Sequence, residues 1–343
     1  MTSLVTEQLS LRQRFADFLA ADLQLVNEVL CEQLRSSHRL VSDLSDHVGR
    51  FRGKQIRPGL LMLFRRLTQI GSQSVRMPAL NAVRLAAAVE MIHTATLVHD
   101  DLIDQSDLRR HMATVHSRWD SQTAVLMGDY LFSRAFHLAA STGDAVACQL
   151  IGRATDRTCV GELLQKHVRR TDESLTSAQL QSAEVDYFRV IRGKTGCLFG
   201  LSCLLGTRSA TSSRVLELAA HRYGVRLGMA FQISDDVLDL SQSCQTTGKD
   251  ARNDLENGRL TLPLIRAFRA ASLEERKELA AAVEQNDPLI AELPAMKRGI
   301  DSAAATALEL GRRAVRDLQR FGETPERGLL EEVSLWAAGQ RTA

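Results

Sequence analysis

Apolar residues recur three and four positions apart along most of the chain, which is the spacing of one face of an α-helix. In residues 79–100 one apolar stripe runs through Val83, Ala87 and Met91, and further apolar side chains lie beside it. A segment with so few polar positions predicts a helix that is buried on most of its sides. The chain contains 6 prolines in 343 residues, so few helices need be interrupted. The pattern predicts an almost all-helical fold.

Short polar breaks divide the chain into further predicted helices. These lie near residues 4–34, 119–140, 143–168, 176–205, 213–240, 261–286 and 296–320. Pro58 fits the first turn of another helix, where its missing N–H costs nothing. No repeat, low-complexity tract or linker divides the sequence. We therefore expect residues 1–343 to form a single domain, built as one large helical bundle.

The composition is that of an ordinary soluble globular protein, with 44% hydrophobic residues, 24% charged residues and a net charge of +2. A charge this close to zero gives no reason to expect nucleic acid as a partner. The 6 cysteines show no CxxC spacing, which favours reduced thiols in a cytoplasmic protein over zinc ligands or disulfides. The N-terminal residues lack the apolar run of a signal peptide, and no apolar stretch reaches the roughly 20 residues of a membrane span. We expect a cytoplasmic location, while peripheral contact with a membrane stays open.

Two segments carry the same acidic spacing. In DDLID, Asp100 and Asp104 are four residues apart and share a helix face, with Asp101 beside them. The segment FQISDDVLDL repeats that spacing with Asp235, Asp236 and Asp239. One such cluster is more often a solvated helix face, but both copies follow core-like apolar sequence, where carboxylates need a metal or a cation. We expect the two clusters to face one another across a cavity and to hold a shared ligand through magnesium, which binds a few carboxylates together with substrate phosphates.

Basic residues that suit a polyanionic ligand occur where predicted helices begin or end. They are Lys54 and Arg57 in GKQIRP, Arg109 and Arg110 in DLRR, Lys194 in RGKTG and Lys249 in TTGKD. Arginine binds phosphate through two parallel N–H donors, and lysine binds it as a point charge. Each glycine–lysine pair alone is more often a helix cap with a solvated lysine. His93 lies two helical turns before Asp100 on the same face, which favours ligand binding over the role of an ordinary core histidine.

In this setting the sequence resembles the trans-isoprenyl diphosphate synthases, the head-to-tail prenyltransferases. The likeness runs from Gly53 to Ile265 through GKQIRP, EMIHTATLVHDDLIDQSDLRR, GDYLFSRAF, GKTG, FQISDDVLD, GKD and GRLTLPLI, in the family's order. The resemblance implies the all-α isoprenoid synthase fold, a helical bundle around a central active-site cavity. It also implies a homodimer, and three Mg²⁺ ions bound with the allylic diphosphate.

The resemblance further implies roles for individual residues. Magnesium would be bound by Asp100, Asp101 and Asp104 from one side and by Asp235, Asp236 and Asp239 from the other. The allylic diphosphate would be contacted by Arg109, Lys194, Gln232 and Lys249. A metal-free pocket for isopentenyl diphosphate would be formed by Lys54, Arg57, His93 and Arg110. Thr195 and Gln232 would steady an allylic cation through their oxygen dipoles, so the implied catalytic set is Lys194, Thr195, Gln232 and Lys249. In this interpretation the acids and the arginines of DDLIDQSDLRR do not cancel, because both bind the ligand.

The residues four and five positions before Asp100 bear on product length. Short-chain members of the family carry aromatic residues there, whereas this sequence has Thr96 and Ala95. These small side chains would leave a tunnel open below the allylic site, into which a growing prenyl chain could extend. This favours a product of the hexaprenyl to decaprenyl range over a geranylgeranyl or farnesyl product. Ala95 could instead serve only helix packing, and Met91 could still stop growth further along the helix.

Several positions depart from the family pattern. Arg52, His111 and Arg252 replace glycines, and Arg259 replaces a common lysine. His111 and Arg252 fall in loops over the expected mouth of the site, so they bear on closure or specificity. Two rival hypotheses are a class I terpene cyclase, whose second metal site usually reads Asn, Ser and Glu, and a non-catalytic subunit of a heteromeric synthase, which typically lacks motif aspartates. The two complete aspartate motifs favour a synthase.

Overall fold

Helices account for almost all regular structure in the computed structural model, which describes residues 11–51, 53–70, 76–167, 175–241 and 259–339. They are α1 (residues 11–18), α2 (Ala20–Leu34), α3 (Arg39–Gly49), α4 (Ile56–Gln69), α5 (Ala79–Ile103), α6 (Val115–Arg118), α7 (Ser121–Ala140), α8 (Ala145–His167), α9 (Ser177–Ile191), α10 (Cys197–Ala210), α11 (Arg214–Ser241), α12 (Leu262–Ala270), α13 (Leu273–Glu284), α14 (Pro294–Leu318) and α15 (Pro325–Gly339). A π-helical segment spans Arg192–Gly196, a 3₁₀ turn spans Ile290–Glu292, and β1 (Leu108–Arg109) pairs with β2 (Met112–Ala113) in a small antiparallel hairpin. The all-helical prediction is confirmed.

Polar side chains and prolines fix several helix starts. Asp120 accepts the backbone N–H of Thr123 and begins α7. Thr176 and Gln179 form a reciprocal capping box at the start of α9. Pro58 lies in the first turn of α4, as predicted. Each device suits the N–H groups of a first helical turn, which have no partner within the helix.

Some predicted boundaries are wrong. Residues 261–286 form two helices rather than one, because Ala271 is extended and Ser272 caps a new helix. The predicted helix 176–205 is interrupted by the π-helical segment. Three helices, α3, α6 and α15, and the hairpin were not predicted at all.

The core consists of two hydrophobic clusters that meet along α11. The larger cluster joins α2, α4, α5, α7 and α10 to the first half of α11. The smaller one joins α9, α12, α13 and much of α14 to the second half of α11. Residues 232–236 therefore lie where the two clusters adjoin, on a helix packed against both α10 and α14. None of the described helices combines the length and apolar character that a membrane crossing requires.

Candidate active site

A cavity of about 600 Å³ brings the two aspartate motifs together. Asp100, near the end of α5, and Asp235, on α11, both line it. The remaining predicted site residues on its wall are Lys54, Arg57, His93, Arg110, Lys194, Thr195 and Gln232. The structure thus gathers residues from α4, α5, the hairpin, the π-helical segment and α11 around one space, although they are far apart in sequence.

In the first motif each aspartate is paired with a cation from another element. Lys194 Nζ lies 3.0 Å from Asp100 Oδ2, and Arg259 Nη2 lies 2.5 Å from Asp104 Oδ1. Arg109 donates two hydrogen bonds of 2.6 Å, one to each carboxylate oxygen of Asp101. Burial raises the pKa of Asp101, and the hydrogen bonds from Arg109 oppose that rise. The expectation that acids and arginines do not cancel is therefore not met at Arg109, which neutralises Asp101 directly.

Glu162 on α8 belongs to this cluster, although the sequence did not single it out. Lys194 Nζ donates to Glu162 Oε2 at 2.8 Å and to Gln165 Oε1 at 3.0 Å. Burial, and secondly the Asp100 charge, raise the pKa of Glu162 to about 7. The spacing of Glu162 and Gln165, three residues apart on one helix face, was the available signal.

Glycine permits the close approach that places Glu162 beside Lys194. A Cβ atom on Gly161 would lie 2.7 Å from the backbone nitrogen of Lys194, and one on Gly193 would lie 2.9 Å from the carbonyl oxygen of Arg157. Neither distance is compatible with a larger residue unless the backbones separate. Both glycines therefore set the distance between α8 and the π-helical segment.

In the second motif, Asp236 accepts hydrogen bonds from two uncharged side chains. Tyr187 donates to Asp236 Oδ2 at 2.5 Å, and Gln232 Nε2 donates to Asp236 Oδ1 at 2.9 Å. Thr195 in turn donates to Gln232 Oε1 at 2.9 Å. A smaller cavity of about 150 Å³ adjoins these hydrogen-bonded residues, with Tyr187, Asp236 and Arg259 in its wall.

The members of the second motif differ in exposure. Asp236 is buried, Asp235 is half-buried on the main cavity, and Asp239 is exposed. Tyr187, like Glu162, is a site residue that the sequence patterns did not reveal.

Four basic residues, Lys54, Arg57, His93 and Arg110, also line the main cavity, and we call them its basic wall. Arg57 stacks over the Phe199 ring at 4.6 Å, and its buried Nε has no hydrogen-bond partner among the described residues. Burial lowers the pKa of Arg57 to about 10, so it remains a cation near neutral pH. Burial, with Arg57 as the next contribution, holds the pKa of His93 well below its ordinary value. His93 is therefore neutral beside permanent cations.

Arg110 and His111 form the two-residue turn of the hairpin. The register pairs Leu108 with Ala113 and Arg109 with Met112, and the turn residues have φ values of 51° and 63°. Positive φ at both positions is typical of a type I′ turn, which explains why a glycine is common at the position of His111. Arg110 Nη1 donates to the carbonyl oxygen of Phe51 at 2.7 Å. A Cβ atom at Gly53 would lie 2.3 Å from Arg110 Nη2, so glycine leaves the space that this guanidinium occupies.

Other predicted positions fall into two groups. Thr96 lines the cavity, whereas Ala95 and Met91 are buried in the core. Lys249, Arg52 and Arg252 lie outside the described residues.

The donor set fits magnesium bound together with a phosphate ligand. Within the described ranges, no three His, Cys, Asp or Glu side chains converge closely enough to hold a metal ion by themselves. Asp100 and Asp235 nevertheless present carboxylates to one cavity. Magnesium commonly uses one or two protein carboxylates and takes its other ligands from water and substrate phosphates.

A solved structure with a similar fold is a polyprenyl synthase from Caulobacter crescentus in complex with calcium and isoprenyl diphosphate. It matches with a TM-score of 0.83 and 31% sequence identity, over 96% of this chain and 98% of that one. The fold is therefore the helical bundle of that class of protein.

The sequence comparison gives the same result. The polyprenyl synthetase family pattern matches residues 38–298, and the chain belongs to this family. It is 33% identical to octaprenyl diphosphate synthase of Haemophilus influenzae, over 91% of each chain. It is 32% identical to heptaprenyl diphosphate synthase component 2 of Geobacillus stearothermophilus, over 93% of this chain and 96% of the relative. The family predicted from the sequence is confirmed.

Proposed function

We propose that this protein is a trans-prenyltransferase that condenses isopentenyl diphosphate with an allylic diphosphate and releases a longer all-trans prenyl diphosphate. The observation that carries the proposal is the shared cavity, where Asp100 and Asp235 face a basic wall. An allylic diphosphate would lie between the aspartate motifs, and isopentenyl diphosphate would lie against the basic wall. A cyclase would have no use for a second diphosphate pocket.

The aspartates of both motifs would hold Mg²⁺ together with the allylic diphosphate. When bound there, Mg²⁺ supplies positive charge that stabilises the diphosphate as a leaving group. Lys194 lies between Asp100 and Glu162 and donates hydrogen bonds at the cavity wall, so it can bind a diphosphate oxygen directly. Arg109 can reach the ligand when it exchanges Asp101 for phosphate.

The metal-free pocket would bind isopentenyl diphosphate through Lys54, Arg57 and Arg110. The buried Nε of Arg57 is a donor that has no partner among the described residues, and an anion would satisfy it. Neutral His93 can donate one hydrogen bond without adding charge. Three cations suit a diphosphate, and their fixed places would hold its isoprenyl double bond toward the allylic carbon.

The condensation breaks the carbon–oxygen bond of the allylic diphosphate and forms a carbon–carbon bond to isopentenyl diphosphate. The hydroxyl of Thr195 donates to Gln232, so its oxygen lone pairs remain available to an allylic cation in the cavity. A proton is then lost from the new chain, and the departing diphosphate is the nearest strong acceptor. A fixed polar environment of this kind lowers the barrier because it needs no rearrangement during the reaction.

Product length follows from the cavity wall beneath Asp100. Thr96 is a small residue on that wall, where a growing chain would pass. The relatives named above are octaprenyl and heptaprenyl diphosphate synthases. We propose a product of the hexaprenyl to decaprenyl range, and a geranylgeranyl or farnesyl product as the alternative.

Assembly is proposed as a homodimer. Leu126 on α7 is 67% exposed and Leu163 on α8 is 60% exposed, and such residues are suited to a partner surface. The name of the Geobacillus stearothermophilus relative, component 2, raises the alternative of a synthase with two different subunits. Sedimentation velocity should give a dimer that Leu126→Asp and Leu163→Asp weaken, while Leu273→Asp, at an 80% exposed leucine on α13, leaves it intact.

The decisive experiment uses the full chain with isopentenyl diphosphate, Mg²⁺ and a farnesyl diphosphate primer, with products separated by liquid chromatography and mass spectrometry. Elongation is expected for the wild type and for Asp107→Asn, an exposed aspartate outside the motif spacing. Asp100→Ala should abolish it. Absence of elongation with every allylic primer would favour a non-catalytic subunit of a heteromeric synthase.

A further inference from the structure

Trp336, in the C-terminal helix α15, carries two cations against its ring. The guanidinium carbon of Arg12 lies 5.2 Å from the ring centroid, and Lys54 Nζ lies 5.6 Å from it. Both distances are within the roughly 6 Å over which a cation is attracted to the face of an aromatic ring, and tryptophan attracts most strongly. Trp336 itself is buried in the larger core cluster, so its ring is a fixed surface.

Lys54 depends on such a surface more than the other cations of the basic wall do. It lies in residues 53–55, a segment without helix or strand just before α4. The lysine side chain is long and rotates freely, so restricting it costs rotamer entropy. A ring that holds Nζ near the cavity before the substrate arrives removes part of that cost from binding.

The neighbouring residue is fixed by a separate contact. Gln55 has a left-handed backbone, φ 48°, and its side chain amide exchanges two hydrogen bonds with that of Asn27. The backbone around Lys54 is thereby anchored on α2, and the Trp336 ring positions the far end of the side chain.

Arg57 provides a parallel within the same wall. It stacks over Phe199 at 4.6 Å, as Lys54 does over Trp336. Two of the three cations that line this pocket therefore lie over aromatic rings. An aromatic ring attracts a cation without neutralising its charge, so the charge stays available to an incoming anion.

The helix that carries Trp336 also reaches the second aspartate motif. Ser234, the residue before Asp235, donates to the carbonyl oxygen of Ala338 at 3.4 Å. The α15 helix thus contacts two segments that carry cavity-lining residues, the one with Lys54 and the one with Asp235.

We propose that Trp336 is a positioning residue that holds Lys54 for the diphosphate of isopentenyl diphosphate. The proposal rests on the proposed function, since it takes the basic wall as the isopentenyl pocket. Trp336 acts through Lys54 and does not contact the reacting atoms. Its loss should weaken binding of isopentenyl diphosphate and leave binding of the allylic diphosphate nearly unchanged.

The test is a double-mutant cycle of Trp336→Phe and Lys54→Met, read by isothermal titration with isopentenyl diphosphate in metal-free buffer. Binding without metal reports the metal-free pocket whether or not the protein elongates chains. Trp336→Phe, which keeps an aromatic ring and limits the cavity left behind, should weaken binding about 3- to 10-fold with Lys54 present. In the Lys54→Met background the same change should weaken it less than about 2-fold, because coupled residues are not additive.

Additive effects in the cycle would overturn the proposal, since they would mean that Trp336 supports the fold alone. Leu335→Ala, an exposed neighbour on the same helix, is the matched control and should bind like the wild type. In an active enzyme, Trp336→Phe should raise KM for isopentenyl diphosphate by the same factor, with kcat and the allylic KM within about 2-fold of the wild type. If the wild type binds isopentenyl diphosphate but elongates nothing, the proposed function fails while the cycle still decides this inference.

Discussion

The two aspartate motifs share a spacing but differ in what surrounds them. In the first motif the aspartates are paired with cations from three other places in the chain, namely Lys194, Arg109 and Arg259. In the second motif Asp236 accepts hydrogen bonds from two uncharged side chains, Tyr187 and Gln232. A metal ion that binds the first motif must compete with protein cations, whereas uncharged donors orient a carboxylate and leave its charge in place. We infer that the first motif binds metal by exchange and that Asp236 of the second motif is oriented in advance.

Removal of one carboxylate from each motif should have the largest effect. Asp100→Asn and Asp235→Asn keep the side-chain shape and remove the charge, so each should lower kcat/KM by roughly 10²- to 10⁴-fold. Steady-state assays at saturating Mg²⁺ measure this. A variant that keeps more than a third of wild-type activity would exclude its aspartate from the metal site.

Lys194→Met tests whether the first motif binds metal by exchange with a protein cation. It leaves the carboxylates of Asp100 and Glu162 without their shared cation, so kcat/KM should fall about 10²-fold, as expected when a charged partner is lost. The melting temperature of this variant should then rise more steeply with Mg²⁺ concentration than that of the wild type, because the metal replaces the missing cation. Lys297→Met, at an exposed pair with Glu292, should show the wild-type response. An unchanged response in Lys194→Met would contradict metal binding by exchange.

Tyr187→Phe probes the second motif. It removes one hydrogen bond to a charged group, which contributes about 1.5 kcal/mol or more, so kcat/KM should fall about tenfold. The fold should persist, since only an oxygen atom is lost. Asp236→Asn, measured in parallel, sets the largest loss of kcat/KM that Tyr187 can cause by orienting Asp236. A larger loss in Tyr187→Phe would mean that the tyrosine has a further role.

Histidines on the two motif helices should respond differently to pH. Burial lowers the pKa of both His93 on α5 and His221 on α11, and the pKa of His93 falls well below its ordinary value. In the unfolded chain a histidine has a pKa near 6.5 and takes up a proton more readily than in the fold. The folded state is therefore fully stable with respect to these histidines above pH 6.5, and it loses stability as the pH falls below that value. The melting temperature should drop between pH 7.5 and pH 5.5, and His93→Gln should flatten that drop more than His221→Gln does. Equal slopes in the wild type and His93→Gln would refute the assignment.

The smallest expected effect concerns the turn beside the first motif. His111 has φ 63°, so His111→Gly should relieve backbone strain and stabilise the fold by about 1 kcal/mol. Denaturant unfolding measures the change. Asn286→Gly, with φ 51°, is the matched control and should gain less, because asparagine tolerates the left-handed region better than histidine does.

The sequence predicted those parts of the site that short motifs carry. Both aspartate clusters, Lys194 and the basic residues near Pro58 lie in local patterns with a chemical meaning. The structure places one aspartate of each cluster at the same cavity as Lys194, Lys54 and Arg57. Helical spacing alone also indicated that α5 would be buried, as it is from Leu85 to Ile92.

Residues that reach the site through tertiary packing could not be predicted in this way. Tyr187 and Trp336 lie in helices whose positions depend on distant contacts with α11 and α14. Glu162 has a visible neighbour in Gln165, but nothing local indicates that α8 would touch the π-helical segment. The hairpin was missed because Arg110 and His111 lack the Asn-Gly or Asp-Gly signal that normally marks its turn type.

The π-helical segment Arg192–Gly196 has a consequence for how this protein can change over evolution. A π-helical turn holds one residue more than the α-helix around it, and each residue of a regular helix turns the chain by about 100°. Deletion of a single residue there would restore a regular helix and rotate the side chains after it relative to those before it. Thr195 would then leave Gln232, and the glycine that faces α8 would move away from Gly161. This stretch should tolerate substitutions at its exposed Arg192 far better than any change in its length.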